Sequence, residues 1–298
     1  MISELNLQDL IFAFPEVHLN GKVNSLFSES DVLNMEEEVE HTSPISVTKN
    51  EGWTKALDSI SLVPEVINRT ITIISELRFE NASKLDERLL YIGAFLLPFG
   101  ELFYTDKKGK VLSLVSYIIG NSLKYKKSDV NEISLVMKMC DSFKDVFINK
   151  RLRNIIPSRL SIGLLLRKLK SSWPLCLSLA AISDILTNEN SSNHALTWKT
   201  FEELYTQIFE LKLDGCWRQK PVLNGKEIAK ALGIKNGPSI GFFVDQCFQF
   251  MLRHPEGSKE ECIIYLKKCH EDHSTDMNTD MTQLALSTSK RSASQASL

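Results

Sequence analysis

The stretch from Cys269 to His273 reads Cys-His-Glu-Asp-His, and thiol, imidazole and carboxyl groups are the side chains that bind metal ions. A structural zinc site needs a second pair of ligands at a suitable spacing, and the sequence offers none. We therefore predict no metal site and interpret the stretch as part of an incidental tail.

Three glycines at Gly233, Gly237 and Gly241 raise the question of a phosphate-binding loop. Such a loop follows a strand and continues into Gly-Lys-Ser/Thr, and neither feature is present, so a turn with close helix packing is the better interpretation. No serine or cysteine lies in a nucleophile motif near an isolated histidine, so the sequence predicts no catalytic residue. The isolated histidines are His18, His41, His194 and His254.

Basic residues offer a different kind of chemistry, because contacts with phosphate dominate the affinity of proteins for RNA. Several basic faces on one side of a molecule would form a track for phosphates, although a basic helix face is more often simply solvated. The formal net charge of −2 neither favours nor excludes nucleic-acid binding. The predicted RNA-binding residues are Lys107, Lys108, Lys110, Arg167, Lys168, Lys170, Lys226, Lys230 and Lys235.

These residues need a scaffold, and the composition is that of a globular protein. The 298 residues are 43% hydrophobic and 24% charged, which suits one large helical domain or two smaller ones. The six cysteines form no C-x-x-C pair and mostly follow apolar helical patterns, so we predict small core residues in a reducing compartment. No apolar run reaches the length of a membrane span, and none is expected to contact a membrane.

From Trp53 onward, apolar residues recur at intervals of three and four residues, which predicts an all-α fold. Candidate N-caps are Ser128, Ser158 and Asn224, and candidate helix ends are Gly215 and Gly233. A capping box is expected at residues 258–261, and residues 188–196 are interpreted as a linker. The main predicted helices cover residues 84–97, 111–124, 128–147, 158–171, 174–187 and 197–213, with a helical hairpin from 224 to about 269.

Four stretches carry a family resemblance, in an order and spacing that make the match specific. They are IFAFP at 11–15, LYIGAFLLPF at 90–99, IGLLLR at 162–167, and a hairpin that includes PVLNGKEI at 221–228 and HPEGSKEEC at 254–262. Together they resemble the C-terminal part of the eukaryotic CCA-adding tRNA nucleotidyltransferases. The resemblance extends, with gaps, over roughly residues 2 to 268.

The resemblance implies five regions and assigns tRNA as the partner. Residues 1–15 would be a remnant of the neck helix, 16–50 an acidic polar loop and 51–213 a helical body. Residues 214–270 would be a helical tail hairpin, and 271–298 a disordered tail. In the family, the body and tail grip the acceptor stem and the elbow of tRNA. For the glutamates at 36–38 and 40, a carboxylate metal site is the less favoured alternative to a solvated loop.

Family enzymes carry a head whose Gly-rich motif and Asp-x-Asp carboxylates hold two metal ions, and they use Mg with CTP and ATP. This sequence has no Gly-Gly pair, no Asp-x-Asp and no Glu-Asp-x-x-Arg pattern of the nucleotide-selecting neck. No catalytic residue or cofactor is therefore carried over. We expect a truncated or incompletely predicted gene product that is catalytically inactive alone.

Two alternatives remain open at the level of sequence. The chain would otherwise be a non-enzymatic helical scaffold that binds a protein or RNA, or a subunit that docks a separately encoded head domain through the apolar residues of 2–14. The N-terminus lacks a positive charge before its apolar residues, so a cytoplasmic or nuclear location is the default expectation. The family also includes mitochondrial and plastid enzymes.

Overall fold

The computed structural model describes residues 19–20 and 51–271, apart from 78–81, 106–107, 189–190, 236 and 238. The predicted neck remnant, the acidic run and the tail beyond residue 271 lie outside the described residues. The chain divides into two compact units, and the division falls inside one helix. The first unit is Met1–Pro157 with Leu165–Trp217, and the second unit is Ser158–Leu164 with Arg218–Leu298. The predicted boundary between residues 213 and 214 stays a prediction.

The first unit is mostly helical, which confirms the predicted fold class, and its described part also contains a small antiparallel sheet. The strands run in the order β1 (Leu19–Asn20), β2 (Phe103–Thr105) and β3 (Val111–Ser113). The helices are α1 (Glu51–Ser61), α2 (Val63–Leu77), α3 (Glu87–Leu96), α4 (Leu114–Tyr117), α5 (Lys127–Arg153), the end of α6 (Arg159–Leu169), α7 (Trp173–Leu186) and α8 (Ser191–Glu210). No helix of the described ranges is long and apolar enough to cross a membrane.

Helix α7 forms the centre of the first unit because it is apolar around its whole circumference. Every residue from Trp173 to Ile185 except Ser183 is buried, and helices α3, α5 and α8 pack against it. A helix without a polar face must be covered on all sides, so these three helices are fixed by the burial of α7.

A buried carboxylate at the end of α7 ties together the helices around it. Asp184 is 1% exposed, forms an ion pair with Arg151 of α5, and accepts a 2.5 Å hydrogen bond from the Thr197 hydroxyl of α8. Arg151 also donates a 2.8 Å hydrogen bond to the side-chain oxygen of Asn188. Burying a charge is costly unless it is paired, so this network fixes where α5, α7 and α8 meet.

A second carboxylate anchors the start of α7. Asp214 accepts hydrogen bonds from the Ser83 backbone N–H at 3.0 Å, the Ser83 hydroxyl at 2.6 Å and the indole N–H of Trp173 at 2.9 Å. Trp173 is fully buried and packs on Tyr205 with ring centroids 4.8 Å apart. The segment before α3 is thereby fastened to the base of α7.

The second unit contains a hairpin of short helices. The capping residues predicted from the sequence for these helices are correct. Its elements are the first part of α6, α9 (Gly225–Leu232), α10 (Ser239–Arg253) and α11 (259–271). The capping box of Ser258 and Glu261 is confirmed, since each donates its backbone N–H to the other's side chain at 2.9 and 3.2 Å. The core cluster of the unit is Leu223, Ile228, Phe243, Cys247, Phe250, Cys262 and Leu266.

Helix α6 and helix α10 approach closely within the second unit at a glycine. A Cβ atom on Gly163 would lie 2.5 Å from a methyl carbon of Leu252, which is 4% exposed. Only a residue without a side chain leaves room for Leu252 there. Gly163 therefore belongs to the packing surface of this unit.

The cysteines lie where the sequence predicts. All of them except the half-buried Cys269 are buried, and none forms a disulfide. Cys247 and Cys262 face each other with their sulfur atoms 3.5 Å apart. The predicted role as small core residues is confirmed.

Several local predictions are wrong. The predicted helix 111–124 begins instead as β3, and the predicted linker 188–196 overlaps the start of α8. Lys126 rather than Ser128 occupies the N-cap of α5, whereas the predicted caps Ser158 and Asn224 are confirmed. The strands were missed because two three-residue segments provide too short a pattern to compete with the apolar run that follows.

The end of α8 also differs from the prediction. Gly215 has a left-handed φ of 87°, but α8 ends earlier, where Lys212 adopts a φ of 51°. Leu213 donates its backbone N–H to the Ile208 carbonyl at 2.9 Å, and Lys212 donates to Phe209 at 2.8 Å. These two bonds form a Schellman motif with a lysine in the position that usually holds glycine.

Replacing Lys212 with glycine should stabilise the protein, because glycine adopts the left-handed conformation without the steric cost of a Cβ atom. We expect Lys212→Gly to raise the free energy of unfolding by roughly 0.5–1 kcal/mol. Urea denaturation followed by circular dichroism measures it. Lys138→Gly, at an exposed position inside α5, is the matched control and should lose about 1 kcal/mol. A loss of stability in Lys212→Gly would contradict the Schellman assignment.

Removing the buried carboxylate should destabilise the first unit strongly, because the guanidinium of Arg151 would stay buried without its partner. Arg151 has a side chain only 14% exposed, so we expect Asp184→Ala to cost about 3–5 kcal/mol. Thermal or urea unfolding gives the value. Asp141→Ala, at an exposed aspartate of α5, should change stability by less than about 0.5 kcal/mol. Equal effects of the two variants would show that the network does not organise the helices.

Candidate nucleic-acid interface

The first group of predicted binding residues lies on the turn between β2 and β3. Lys108 and Lys110 are exposed there, and Lys107 lies outside the described residues. Gly109 has a φ of 77°, a left-handed conformation that glycine adopts readily, so it allows the chain to reverse between the two lysines. The hairpin holds these charges on a short ordered stem.

The stem is anchored from its buried side. Tyr104 is 6% exposed and meets the ring of Tyr117 edge to face, with centroids 5.2 Å apart. The backbone N–H of Leu114 donates a 3.0 Å hydrogen bond to the Leu102 carbonyl and extends the pairing of the strands. The position of the turn is therefore set by the core of the first unit.

The second group lies at the end of α6. Arg167 and Lys168 are in its last turn, and Lys170 follows with a left-handed φ of 54°. Lys168 and Lys170 are exposed and Arg167 is half-buried, while the adjacent Leu166 and Leu169 are buried. Cations at a helix C-terminus also interact favourably with the helix dipole, so part of this charge serves the helix itself.

The third group lies in the second unit, on α9 and just beyond it. Lys226 and Lys230 are four residues apart and both exposed, opposite the fully buried Ile228. Residues four apart in a helix share a face, so the two ammonium groups project to the same side. Lys235 is exposed in the segment that follows the left-handed cap at Gly233.

Helix α9 is well fixed at its N-terminus, so the backbone that carries its basic face is ordered. Asn224 accepts backbone N–H bonds from Lys226 at 3.0 Å and Glu227 at 3.1 Å, and Glu227 accepts one from Asn224 at 2.8 Å. The backbone bond from Asn224 and the nearby ammonium of Lys259, 3.4 Å away, hold the pKa of Glu227 below its usual range. Glu227 is thus ionised in its capping role at neutral pH.

The structure resolves the predicted set into three local groups, two in the first unit and one in the second. It brings together Lys226 with Lys230, Lys108 with Lys110, and Arg167 with Lys168 and Lys170. Each of these groups is carried by a single local segment.

Sequence reasoning missed two residues beside the first group. Phe103 is 42% exposed and Val111 is 59% exposed, on the strands that carry the lysine turn. The signal that would have found them is the pair of alternating segments Phe-Tyr-Thr and Val-Leu-Ser on either side of Lys-Lys-Gly-Lys, a pattern typical of a hairpin. Interpreting the residues from 111 onward as helix hides that signal.

A groove of the first unit offers a different electrostatic character. About 730 Å³ in volume, it lies between α2 and α8 and is lined by Arg69 and Lys199 together with four glutamates. Arg69 is already paired with Glu65 and Glu202. This acidic excess disfavours phosphate, so we place the candidate interface elsewhere. The four glutamates are Glu76, Glu202, Glu203 and Glu210.

The metal-ligand types near the end of the second unit serve packing. Among the described residues, no three His, Cys, Asp or Glu side chains come close enough to hold a metal ion. The ring of His270 packs against Phe243 at 5.5 Å, and the sulfur of Cys269 lies 3.9 Å from the side-chain oxygen of Gln246. Asp272 and His273 lie outside the described residues.

The buried thiols are also poor nucleophiles. Burial raises the pKa of Cys140 to about 12, and burial together with the neighbouring Cys247 raises the pKa of Cys262 to about 12. A thiol with so high a pKa carries almost no thiolate at neutral pH, and the thiolate is the reactive form. These cysteines are structural.

Three known proteins that are similar to the chain are all named as tRNA nucleotidyltransferases. tRNA nucleotidyltransferase cca2 of Schizosaccharomyces pombe is 28% identical over 210 residues, which cover 69% of this chain and 42% of the relative. The mitochondrial CCA tRNA nucleotidyltransferase of Saccharomyces cerevisiae is 27% identical, over 59% of this chain and 33% of that protein. tRNA nucleotidyltransferase cca1 of Schizosaccharomyces pombe is 24% identical, over 76% of this chain and 46% of its own length.

No protein-family model and no solved structure shows a significant match. The chain spans less than half the length of each of these relatives, as expected for similarity to a C-terminal portion. The predicted resemblance is therefore confirmed, and this chain is similar to the CCA tRNA nucleotidyltransferases of yeasts.

Proposed function

We propose that this chain is the C-terminal, tRNA-binding portion of a CCA-adding enzyme and that it is catalytically inactive alone. The observation that carries the proposal is the run of similarity to tRNA nucleotidyltransferases, in a chain that presents three ordered basic groups. The proposed inactivity of the chain alone is supported by the catalytic motifs of the family that the sequence lacks.

The metal ions and nucleotides of the family do not fit the donor set of this chain. A two-metal nucleotidyl-transfer site needs closely spaced carboxylates that bridge both ions, and the sequence contains no Asp-x-Asp. Asp184 and Asp214, two carboxylates of the first unit, are already engaged with Arg151, Thr197, Ser83 and Trp173. We therefore assign Mg, CTP and ATP to a head that another polypeptide or a longer form of the protein would supply.

Binding of tRNA would use the basic groups through their charge. Lys226 and Lys230 lie as a pair on one face of α9, and Lys108 and Lys110 form a second pair on the β2–β3 turn. Each phosphate that a lysine neutralises releases condensed counterions, so such binding weakens steeply as salt rises. Contacts of this kind position an RNA by its backbone and shape rather than by its sequence.

The chain alone should add no nucleotide to tRNA. We expect no incorporation of labelled CMP or AMP above background when the purified protein is incubated with Mg, CTP, ATP and a tRNA that lacks CCA. A full-length CCA-adding enzyme of a yeast is the positive control. Clear incorporation by this chain would overturn the assignment of the chemistry to a separate head.

Titration with tRNA at two salt concentrations should show charge-driven binding. We expect the triple variant Lys226→Glu, Lys230→Glu, Lys235→Glu to bind more weakly and to lower the salt slope, by about 0.7–0.9 for each phosphate that is no longer neutralised. The matched control, Lys220→Glu, Lys267→Glu, Lys268→Glu, changes the net charge of the second unit equally at exposed positions outside the predicted set.

The salt titration of the unmodified chain also tests the main alternative. A non-enzymatic scaffold that docks a protein through the hairpin predicts no salt-dependent tRNA binding by the unmodified chain. Equal weakening by both variants would show non-specific attraction and would contradict the assigned basic face on α9.

A further inference from the structure

The solvent face of the β2–β3 hairpin carries an aromatic ring that the fold does not bury. Phe103 is 42% exposed although its strand neighbour Tyr104 is only 6% exposed. Side chains alternate between the two faces of a strand, so Tyr104 anchors the hairpin while Phe103 is held on the opposite face. A large apolar side chain held in water on an ordered strand has its ring available for a partner.

The residues of β3 that pair with this part of β2 leave the ring of Phe103 accessible. The Cα partner of Phe103 on β3 is Ser113, a short polar residue, and its Cα partner on β1 is Asn20. The next cross-strand pair on the same face is Thr105 with Val111, and Val111 is 59% exposed. The face is therefore a small platform with one aromatic ring and an aliphatic edge.

The charge next to this platform decides what kind of partner it fits. Lys108 and Lys110 are exposed on the turn, and Thr105, where the turn begins, is two residues from Phe103, or about 7 Å along the strand. An aromatic ring on a hairpin whose turn carries ammonium groups matches the two parts of a nucleotide, a flat base and a phosphate. An apolar protein segment would match the ring but not the ammonium groups.

We propose that Phe103 stacks on an unpaired base of bound RNA while Lys108 and Lys110 contact the adjacent phosphates. The inference rests on the proposed tRNA-binding function and gives it a second element, because stacking acts through contact area and not through charge. Bases inside a duplex are already stacked, so the platform takes a nucleotide from a loop or an end. The hairpin then distinguishes a folded RNA with unpaired bases from a plain duplex.

Apolar substitutions at Phe103 that remove or enlarge its aromatic ring test the proposal. Phe103→Leu keeps an apolar side chain, and Phe103→Trp enlarges the ring. We expect the leucine variant to bind tRNA roughly tenfold more weakly, the loss typical of one base–aromatic stack, and the tryptophan variant to bind at least as well as the unmodified chain. The probe is an unmodified tRNA transcript that lacks CCA, titrated against the full chain.

Two comparisons keep stacking apart from charge and from misfolding. The loss in Phe103→Leu should be equal at low and high salt, whereas Lys108→Ala with Lys110→Ala should reduce the salt slope. Tyr91→Leu is the matched control, because Tyr91 is an aromatic residue of similar exposure, 40%, on helix α3. Circular dichroism checks that each variant has the helical content of the unmodified chain.

A blunt RNA duplex of similar length is the control RNA without unpaired bases. The Phe103→Leu variant should bind this duplex with the same affinity as the unmodified chain. If Phe103→Leu binds tRNA with the same affinity as Tyr91→Leu and the unmodified chain, the stacking role is overturned. The proposed binding through charge would then remain. If leucine and tryptophan weaken binding equally, the ring serves packing and the proposal fails. If the unmodified chain binds no tRNA at low salt, the proposed function fails as well.

Discussion

The burial of nearly every residue of α7 is the constraint on which the first unit depends. A helix apolar on all sides has no surface to offer water, so α3, α5 and α8 must cover it. The same helix also carries Asp184, a charge that would be costly to bury alone. Arg151 and Thr197 satisfy it from two of the covering helices, so the apolar and the ionic requirements select the same arrangement.

The positions of the basic groups of the first unit are set by this core. Helix α6 ends at Leu169, and one short turn leads from Lys170 to the buried Trp173, whose indole is held by Asp214. The β2–β3 hairpin packs against the core through Tyr104. Because the backbone that carries these charges is already ordered, binding a ligand costs little further backbone entropy, which favours affinity.

Much of the fold could be read from the sequence, since long amphipathic patterns and capping residues are local signals. Asn224 and Gly233 delimit α9 as predicted, and Ser258 with Glu261 begins α11. The small sheet was harder to read, because its three-residue strands are too short to compete with the helical pattern that follows them. Its first strand has only two residues and pairs with a strand distant in sequence. The end of α8 was missed because Lys212 accepts a conformation that propensity assigns to glycine.

Only the charged residues of the candidate interface could be predicted from the sequence. Counting lysines and arginines finds charge, and helical spacing correctly places Lys226 beside Lys230. Finding Phe103 requires knowing which face of a strand is covered, and that depends on the tertiary packing of Tyr104 against Tyr117. An aromatic residue in an apolar-rich sequence is assigned to the core by default, so exposed rings are systematically overlooked.

The close approach of Gly163 and Leu252 has a practical consequence for dissecting the protein. The second unit includes residues 158–164, which lie between the two segments of the first unit, so the second unit is discontinuous in sequence. A fragment cloned from residue 218 onward would lack the surface on which Leu252 rests and would expose that side chain to water. An autonomous version of this unit would have to graft 158–164 back through a linker, as a circular permutation does.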